Sequence, residues 1–233
     1  MTMISNRKWH VPVFTAALVV GLAGCTGTTD GTALTDASPT TSRAAVTTTT
    51  TTTAPFVAES PDEVVRQVIG FWGTKKIPLS LDTGEQSVLT CVGEEFQTAD
   101  ALFCDSRDGD TITWTPGFTD DMGDDEIAEV AGRITLAHEV GHAVQDAANK
   151  FQTAAEKKAT NPDGVKYIEL SADCLAGFYI AHNTDVNLDS TTITAALNET
   201  VLADSPARID AFERGQGLEY NSPNTCLVEY ASS

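Results

Sequence analysis

Two of the chain's four histidines lie one helical turn apart in the pentapeptide HEVGH, residues 138–142. On a helix, side chains at positions i and i+4 project from the same face, so His138 and His142 can reach one metal ion. Glu139 follows the first histidine and is placed to act as a base on a zinc-activated water. The pattern indicates zinc-dependent hydrolysis, although a surface helix with two solvated histidines would give the same five letters.

A catalytic zinc site needs a third protein ligand besides the two histidines. The metzincin extension would place a glycine and a histidine where this chain has Gln145 and Ala148, so that arrangement is excluded. The sequence ELSAD instead supplies Glu169 and Asp173 on one face of a second, otherwise apolar helix. We predict Glu169 as the third ligand and Asp173 as the group that accepts the N–H of a ligand histidine.

Two predicted helices must hold these residues. Apolar residues at helical spacing predict one helix from about Asp124 to Asn149 and a second over about 165–182. Small side chains follow the predicted third ligand, and we expect them to let the two helices approach closely; they are Ser171, Ala172, Ala176 and Gly177.

The remaining pattern predicts an α+β domain that is mostly α. Further helices are predicted over 60–72, with Ser60 as N-cap, over about 190–202, and over about 206–214, with Gly215 just past the end. Short segments within 73–117 predict a small β-region before the histidine helix. In that region TITW, residues 111–114, alternates like a strand with one exposed face.

The motifs HEVGHAVQ and ELSADCLAG resemble those of the bacterial neutral zinc metallopeptidase family. The stretches 101–114 and 205–226 resemble other segments of that family, so the resemblance extends over roughly residues 90–230. It implies a zincin-like, minigluzincin-type domain with gluzincin-like chemistry. In that chemistry His138, His142 and Glu169 hold one catalytic Zn²⁺, Glu139 is the base, and the substrate is a peptide or protein.

The chain departs from this family in one respect. The family usually has a histidine shortly before the serine–arginine pair, and ETVLADSPAR has none. Gluzincins generally use a downstream His or Tyr to stabilise the oxyanion, and the candidates here are His182, Tyr167, Tyr179 and Arg208. His182 also fits an exposed histidine at a helix end, and Arg208 also fits a structural ion pair.

The alternative function is a non-catalytic cell-surface protein that retains a structural zinc on a peptidase fold. The base at Glu139 favours the enzyme, because a structural site has no need of one. Hydrolysis of another amide, such as a cell-wall peptide, would use the same chemistry. For a peptidase, we expect the strand near 111–116 to offer its edge to an extended substrate.

Four cysteines, Cys91, Cys104, Cys174 and Cys226, predict two disulfides in an exported domain. Proximity in sequence favours Cys91 with Cys104, which leaves Cys174 with Cys226. A structural zinc held by the four thiols is disfavoured because the chain has no C-x-x-C pair.

The N-terminus predicts export and lipid anchoring. Residues 1–25 have a basic start, a short apolar run and the lipobox-like ending LAGC, in which Cys25 is the predicted acylation site. An ordinary signal peptide with an incidental cysteine is the alternative. Residues 26–58 are Thr-rich and predict a disordered tether, which leaves 59–233 as the folded domain on the extracytoplasmic face of a bacterial membrane. The net charge of −19 argues against a nucleic-acid partner.

Overall fold

The computed structural model describes residues 58–74, 79–97, 99–184 and 188–231. The predicted signal, Cys25 and all but the last residue of the predicted tether lie outside these ranges. Among the described helices, none is both long enough and apolar enough to cross a membrane.

The described residues form eight α-helices and five short strands, which confirms the predicted α+β class and the small β-region ahead of the histidine helix. The helices are α1 (Pro61–Thr74), α2 (Pro116–Met122), α3 (Glu126–Ala147), α4 (Ala154–Lys158), α5 (Tyr167–His182), α6 (Ser190–Leu197), α7 (Pro206–Gln216) and α8 (Asn224–Glu229). The strands are β1 (Asp82–Glu85), β2 (Leu89–Cys91), β3 (Glu94–Phe96), β4 (Ala101–Cys104) and β5 (Thr111–Trp114).

Helix α3 carries HEVGH, and local sequence sets both of its ends. At the start, the Asp125 side chain accepts a hydrogen bond of 2.9 Å from the N–H of Ala128. At the other end Asn149 adopts a left-handed backbone with φ of 53°, and the N–H of Lys150 donates to the carbonyl of Gln145. This is a Schellman termination with asparagine in the position that glycine usually takes.

Helices α3 and α5 cross where their side chains are smallest. A Cβ added to Gly141 would lie 3.1 Å from the Ala172 backbone, so this crossing leaves little room for a larger residue. The expected close approach of the two predicted helices is therefore confirmed at Ala172.

Two other glycines serve the contact between α5 and α7. A Cβ on Gly177 would lie 2.0 Å from the Phe212 carbonyl oxygen, and one on Gly215 would lie 1.9 Å from the Cys174 carbonyl oxygen. The prediction that Gly215 follows the last turn was wrong, because α7 continues to Gln216 and uses this glycine for close packing. Gly177 likewise faces α7 and not the histidine helix.

The three-stranded sheet has the order β1-β5-β4, with β1 parallel and β4 antiparallel to β5. The prediction of an exposed face on TITW was wrong, because Ile112, Thr113 and Trp114 are all buried. Threonine tolerates burial, so its alternation with apolar residues did not distinguish the two faces. The expectation that this strand offers an edge to substrate is also corrected, since both edges of β5 are already paired.

Both predicted disulfides are present. Cys91–Cys104 joins β2 to β4, and Cys174–Cys226 joins α5 to α8. The first links the β2–β3 hairpin to the strand beside the histidine helix, and the second fixes the C-terminal helix against α5.

Candidate metal centre

Helices α3 and α5 bring His138, His142 and Glu169 together at the cleft. His138 Nε2 lies 3.1 Å from His142 Nε2 and 3.3 Å from Glu169 Oε2, and His142 Nε2 lies 3.7 Å from the same carboxylate oxygen. These atoms form the one group of three or more metal-ligating side chains found among the described residues. The structure therefore places the three predicted ligands around one point.

Hydrogen bonds at the other ring nitrogens determine which tautomer each histidine adopts. His138 Nδ1 lies 2.7 Å from Asp173 Oδ1, and a carboxylate oxygen accepts, so this nitrogen carries the proton. His142 Nδ1 lies 3.0 Å from Gln145 Oε1. The Gln145 amide nitrogen donates to the Ile168 carbonyl, so its oxygen is the acceptor and His142 Nδ1 is the donor. When both imidazoles are neutral, as metal ligation requires, both Nε2 atoms present lone pairs to each other.

In that state three acceptors face one another, and among the described residues no other donor lies between them. Tetrahedral zinc, with bonds of about 2.0–2.1 Å to nitrogen and oxygen, holds its ligands about 3.3 Å apart. The observed separations of 3.1, 3.3 and 3.7 Å bracket that value. Two imidazoles and one carboxylate are a donor set that suits zinc and leaves a fourth position open.

Asp173 connects the first histidine to Arg208 on α7. The Asp173 side chain is fully buried and accepts from Arg208 Nε and Nη2, both at 2.8 Å. Burying a carboxylate this completely requires paired charges and hydrogen bonds, and the guanidinium supplies both. The interpretation of Arg208 as an ion-pair partner is confirmed, and that ion pair supports the group behind His138.

The charges of this cluster shift two pKa values in opposite directions. Burial lowers the pKa of His138, but Asp173, with help from Glu169 and Glu139, raises it to about 10. Burial raises the pKa of Glu169, yet hydrogen bonds from His138 and His142 bring it well below its usual range. The two shifts describe one pairing, in which a proton on the imidazoles and the charge of Glu169 stabilise each other. A bound metal ion would take the place of that proton.

Glu139 lies beside the ligands, and a backbone N–H of the sheet holds its carboxylate. Its Oε2 accepts a hydrogen bond of 2.7 Å from the N–H of Phe103 in β4. Since that N–H points away from β5, the outer edge of β4 faces α3 and the cleft. Sequence reasoning missed both this contact and the role of Gln145. The i, i+3 spacing of Gln145 from His142 was a readable signal, whereas the Phe103 contact depends on tertiary packing.

Two of the proposed oxyanion residues, His182 and Tyr179, lie away from the site. His182 lies 13 residues beyond Glu169, about 20 Å along α5, and donates from Nε2 to the Leu218 carbonyl. The Tyr179 hydroxyl is buried against Arg133 and Asn183. Arg208 lies behind His138 and is committed to Asp173. These assignments are corrected, and Tyr167, at the start of α5, stays a prediction.

Comparison with family models identifies the class. The model described as putative neutral zinc metallopeptidase matches residues 86–209, which is more than half of the chain. The chain therefore belongs to this family. The matched segment contains His138, Glu139, His142, Glu169 and Asp173. Comparison with curated proteins and with solved structures finds no match.

Proposed function

We propose that the protein is a zinc-dependent metalloendopeptidase that hydrolyses peptide bonds with a zinc-activated water. His138, His142 and Glu169 would hold one catalytic zinc, with Asp173 and Gln145 fixing the histidine tautomers. The observation that carries this proposal is that His138 Nε2, His142 Nε2 and Glu169 Oε2 lie within 3.7 Å of one another. Glu139 lies beside this group without belonging to it. Membership of the zinc metallopeptidase family supports it.

When bound, zinc supplies a Lewis acid that lowers the pKa of water and polarises the scissile carbonyl. Glu139 performs the proton transfers. The Phe103 N–H holds its Oε2, which leaves Oε1 to take the proton of the attacking water and deliver it to the leaving nitrogen. Asp173 holds the Nδ1 proton of His138 throughout, and Arg208 pairs with Asp173 and keeps it in place.

The outer edge of β4 is the natural place for an extended substrate in this proposal. Phe103 borders the cleft, and its N–H already points away from β5. The Phe103 N–H is taken by Glu139, so a peptide chain lying along this edge would exchange backbone hydrogen bonds with the other outward-facing groups of β4 and pass the metal ligands. A sheet edge, the HEVGH helix and a glutamate helix in this order support a zincin-like, minigluzincin-type domain.

The test compares the purified wild type with Glu139→Gln for zinc content and for cleavage of a broad peptide library. We expect one zinc per chain in both proteins, and a fall in cleavage of about a hundredfold or more in Glu139→Gln. The matched control is Glu126→Gln, which removes an exposed carboxylate from the first turn of the same helix and should cleave normally.

Equal cleavage by wild type and Glu139→Gln would remove the base from the mechanism. Zinc binding by both without cleavage by either would favour the alternative, a surface protein with a structural zinc.

We also propose that the protein is exported and anchored by acylation of Cys25, with residues 26–58 as the tether. The support is the sequence pattern of residues 1–25. Detergent phase partitioning should place the wild type in the detergent-rich phase and Cys25→Ala in the aqueous phase. A wild type found in the aqueous phase would contradict the anchor.

A further inference from the structure

The metal ligands open into a cleft of about 460 Å³ with two kinds of wall. The sheet side is apolar and is formed by Phe96, Leu102 and Phe103. The other side comes from the connection between α3 and α5 and carries Lys150, Lys157 and Lys166. We refer to these three residues as the lysine wall.

The lysine wall is positively charged in a chain whose net charge is strongly negative. The whole chain has a net charge of −19, with 33 acidic residues against 14 basic ones. All four lysines of the described residues lie between positions 150 and 166, and three of them line the cleft. Four described arginines are paired with carboxylates elsewhere, namely Arg66, Arg133, Arg208 and Arg214.

Two members of the lysine wall have no carboxylate within 4.0 Å in the part of the chain that the structure describes. Lys157 Nζ lies 3.3 Å from Asp105 Oδ2, an exposed pair that is partly neutralised. No such ion pair involves Lys150 or Lys166. Asp146, the other acid at this end of the cleft, accepts a hydrogen bond from the Gln152 side chain. The wall therefore keeps positive charge available for a ligand.

The local backbone conformation fixes where Lys150 and Lys166 lie. The Schellman turn at Asn149 brings Lys150 to the cleft, and Phe151 then adopts φ of 54° with its ring buried. A left-handed backbone is costly for an aromatic residue, so its neighbours must hold it there. At the other end of the connection, Lys166 pairs with Thr160 in a β-bridge and immediately precedes α5, which carries Glu169.

We propose that the lysine wall selects substrates with a negative charge near the scissile bond and a large apolar side chain against Phe96 and Leu102. This inference rests on the proposed peptidase function and names its substrate class. The anionic group is a carboxylate, supplied either by an acidic side chain or by the C-terminus of the peptide. A lysine-lined cleft in an otherwise acidic protein attracts peptides that carry such a carboxylate.

The test uses matched peptides that differ only by Glu or Gln at each position around an apolar residue. At one position the wild type should cleave the Glu peptide with a kcat/KM about tenfold higher, the sum of two or three partly exposed charge contacts. The variant Lys150→Gln/Lys157→Gln/Lys166→Gln should bring that ratio to about one. Lys158→Gln, an exposed lysine of α4 outside the cleft, is the matched control and should keep the wild-type ratio.

A second pair of peptides, one with a free C-terminus and one with an amide, distinguishes the two sources of carboxylate. A preference for the free C-terminus alone would identify the terminal carboxylate as the ligand, and a preference for Glu alone would identify an acidic side chain. Salt provides a check that needs no variant. The wild-type preference should shrink between about 0.01 M and about 1 M salt, as the screening length falls from about 30 to about 3 Å.

Equal cleavage of charged and neutral peptides by the wild type would overturn the inference and leave the proposed function intact. A wild type that cleaves nothing would contradict the proposed peptidase function instead. Peptide binding would then test the inference. Calorimetry on zinc-loaded Glu139→Gln should show carboxylate peptides binding about tenfold tighter than their amides, with the difference lost when the three lysines are also replaced. Equal affinities for the carboxylate peptides and their amides would overturn the inference.

Discussion

Helix α3 carries two polar clusters within two turns of each other, and they are built on opposite principles. The arginine cluster consists of Glu59, Gln67, Glu129, Arg133 and Tyr179. The histidine cluster consists of His138, His142, Glu169 and Asp173, with Gln145 and Arg208 behind it. Both are largely buried, and both connect residues far apart in the chain.

In the arginine cluster every contact pairs a donor with an acceptor. Arg133 Nη1 donates to Gln67 Oε1 at 2.8 Å and Nη2 donates to Glu129 Oε1 at 3.1 Å, with Glu59 on the same nitrogen. In the histidine cluster the outer contacts are paired in the same way, but with both imidazoles neutral the three inner atoms are all acceptors. Facing acceptors cost free energy unless a proton or a metal ion lies between them. The second cluster therefore favours a bound cation, whereas the first is complete without one.

Removing a metal ligand should separate the two clusters most strongly. We expect His142→Ala to weaken zinc binding by more than about a hundredfold, beyond the effect usual for residues behind the ligands. The unfolding free energy of the metal-free protein should change little, because His142 borders the open cleft and its one hydrogen bond outside the ligand group goes to Gln145. Competition with a fluorescent chelator measures the affinity. Undiminished affinity would mean that zinc binds elsewhere.

Replacing Arg133 should give the reverse result. Arg133→Met leaves Glu59 and Glu129 without their guanidinium, and we expect a loss of about 3 kcal/mol of stability. The side chain of Arg133 is only 4% exposed, so water cannot replace it. Urea unfolding of the metal-free protein measures this effect. Zinc affinity of the folded protein should stay within about threefold of wild type, and a large fall would show that the clusters are coupled.

Gln145 tests whether tautomer control matters in the histidine cluster. Gln145→Met keeps the volume but removes the acceptor for His142 Nδ1, and we expect zinc affinity to fall about tenfold. The Ile168 carbonyl also loses its donor, which should cost about 1 kcal/mol of stability. The chelator and urea measurements together give both numbers. A stability loss without any change in zinc affinity would reduce Gln145 to a packing residue.

The smallest expected effect is the pH dependence of the arginine cluster. Burial raises the pKa of Glu59, but Arg133 and Gln67 lower it below its ordinary value of 4.5 overall. Because the folded value is depressed, the stabilisation is present above the unfolded pKa and is lost as pH falls through the folded one. Glu59 is 39% exposed, so screening keeps the effect below about 1 kcal/mol.

Urea unfolding of wild type and Glu59→Gln at about pH 7 and about pH 3 measures this contribution. The difference between the two proteins should be present at the higher pH and shrink at the lower one. A difference that stays constant would mean that Glu59 acts through packing and not through its charge.

Much of the site could be predicted because helix geometry relates spacing to position. The i, i+4 pairs His138/His142 and Glu169/Asp173 required only that both segments be helical. The oxyanion candidates failed for a different reason. His182 and Tyr179 have suitable chemistry, but their partners, Leu218 and Arg133, are brought to them by tertiary packing that local sequence does not encode.

The same distinction between local sequence and tertiary packing applies to the fold. The helix start at Ser60 could be predicted because a capping side chain acts within three residues. The apolar spacing placed the start of α3 at about Asp124, next to its actual N-cap Asp125. The helical position of Gly215 was not readable, because the glycine is required by the Cys174 carbonyl of another helix. The buried faces of β5 were missed for the same reason, since burial of Thr113 depends on the layers packed around it.

The most direct test of the cation site is anomalous X-ray diffraction at the zinc edge from crystals of the zinc-loaded protein. We predict one peak, within about 2.0–2.2 Å of His138 Nε2, His142 Nε2 and a Glu169 carboxylate oxygen. A crystal with no peak there, or with its zinc held by other side chains, would contradict the assignment.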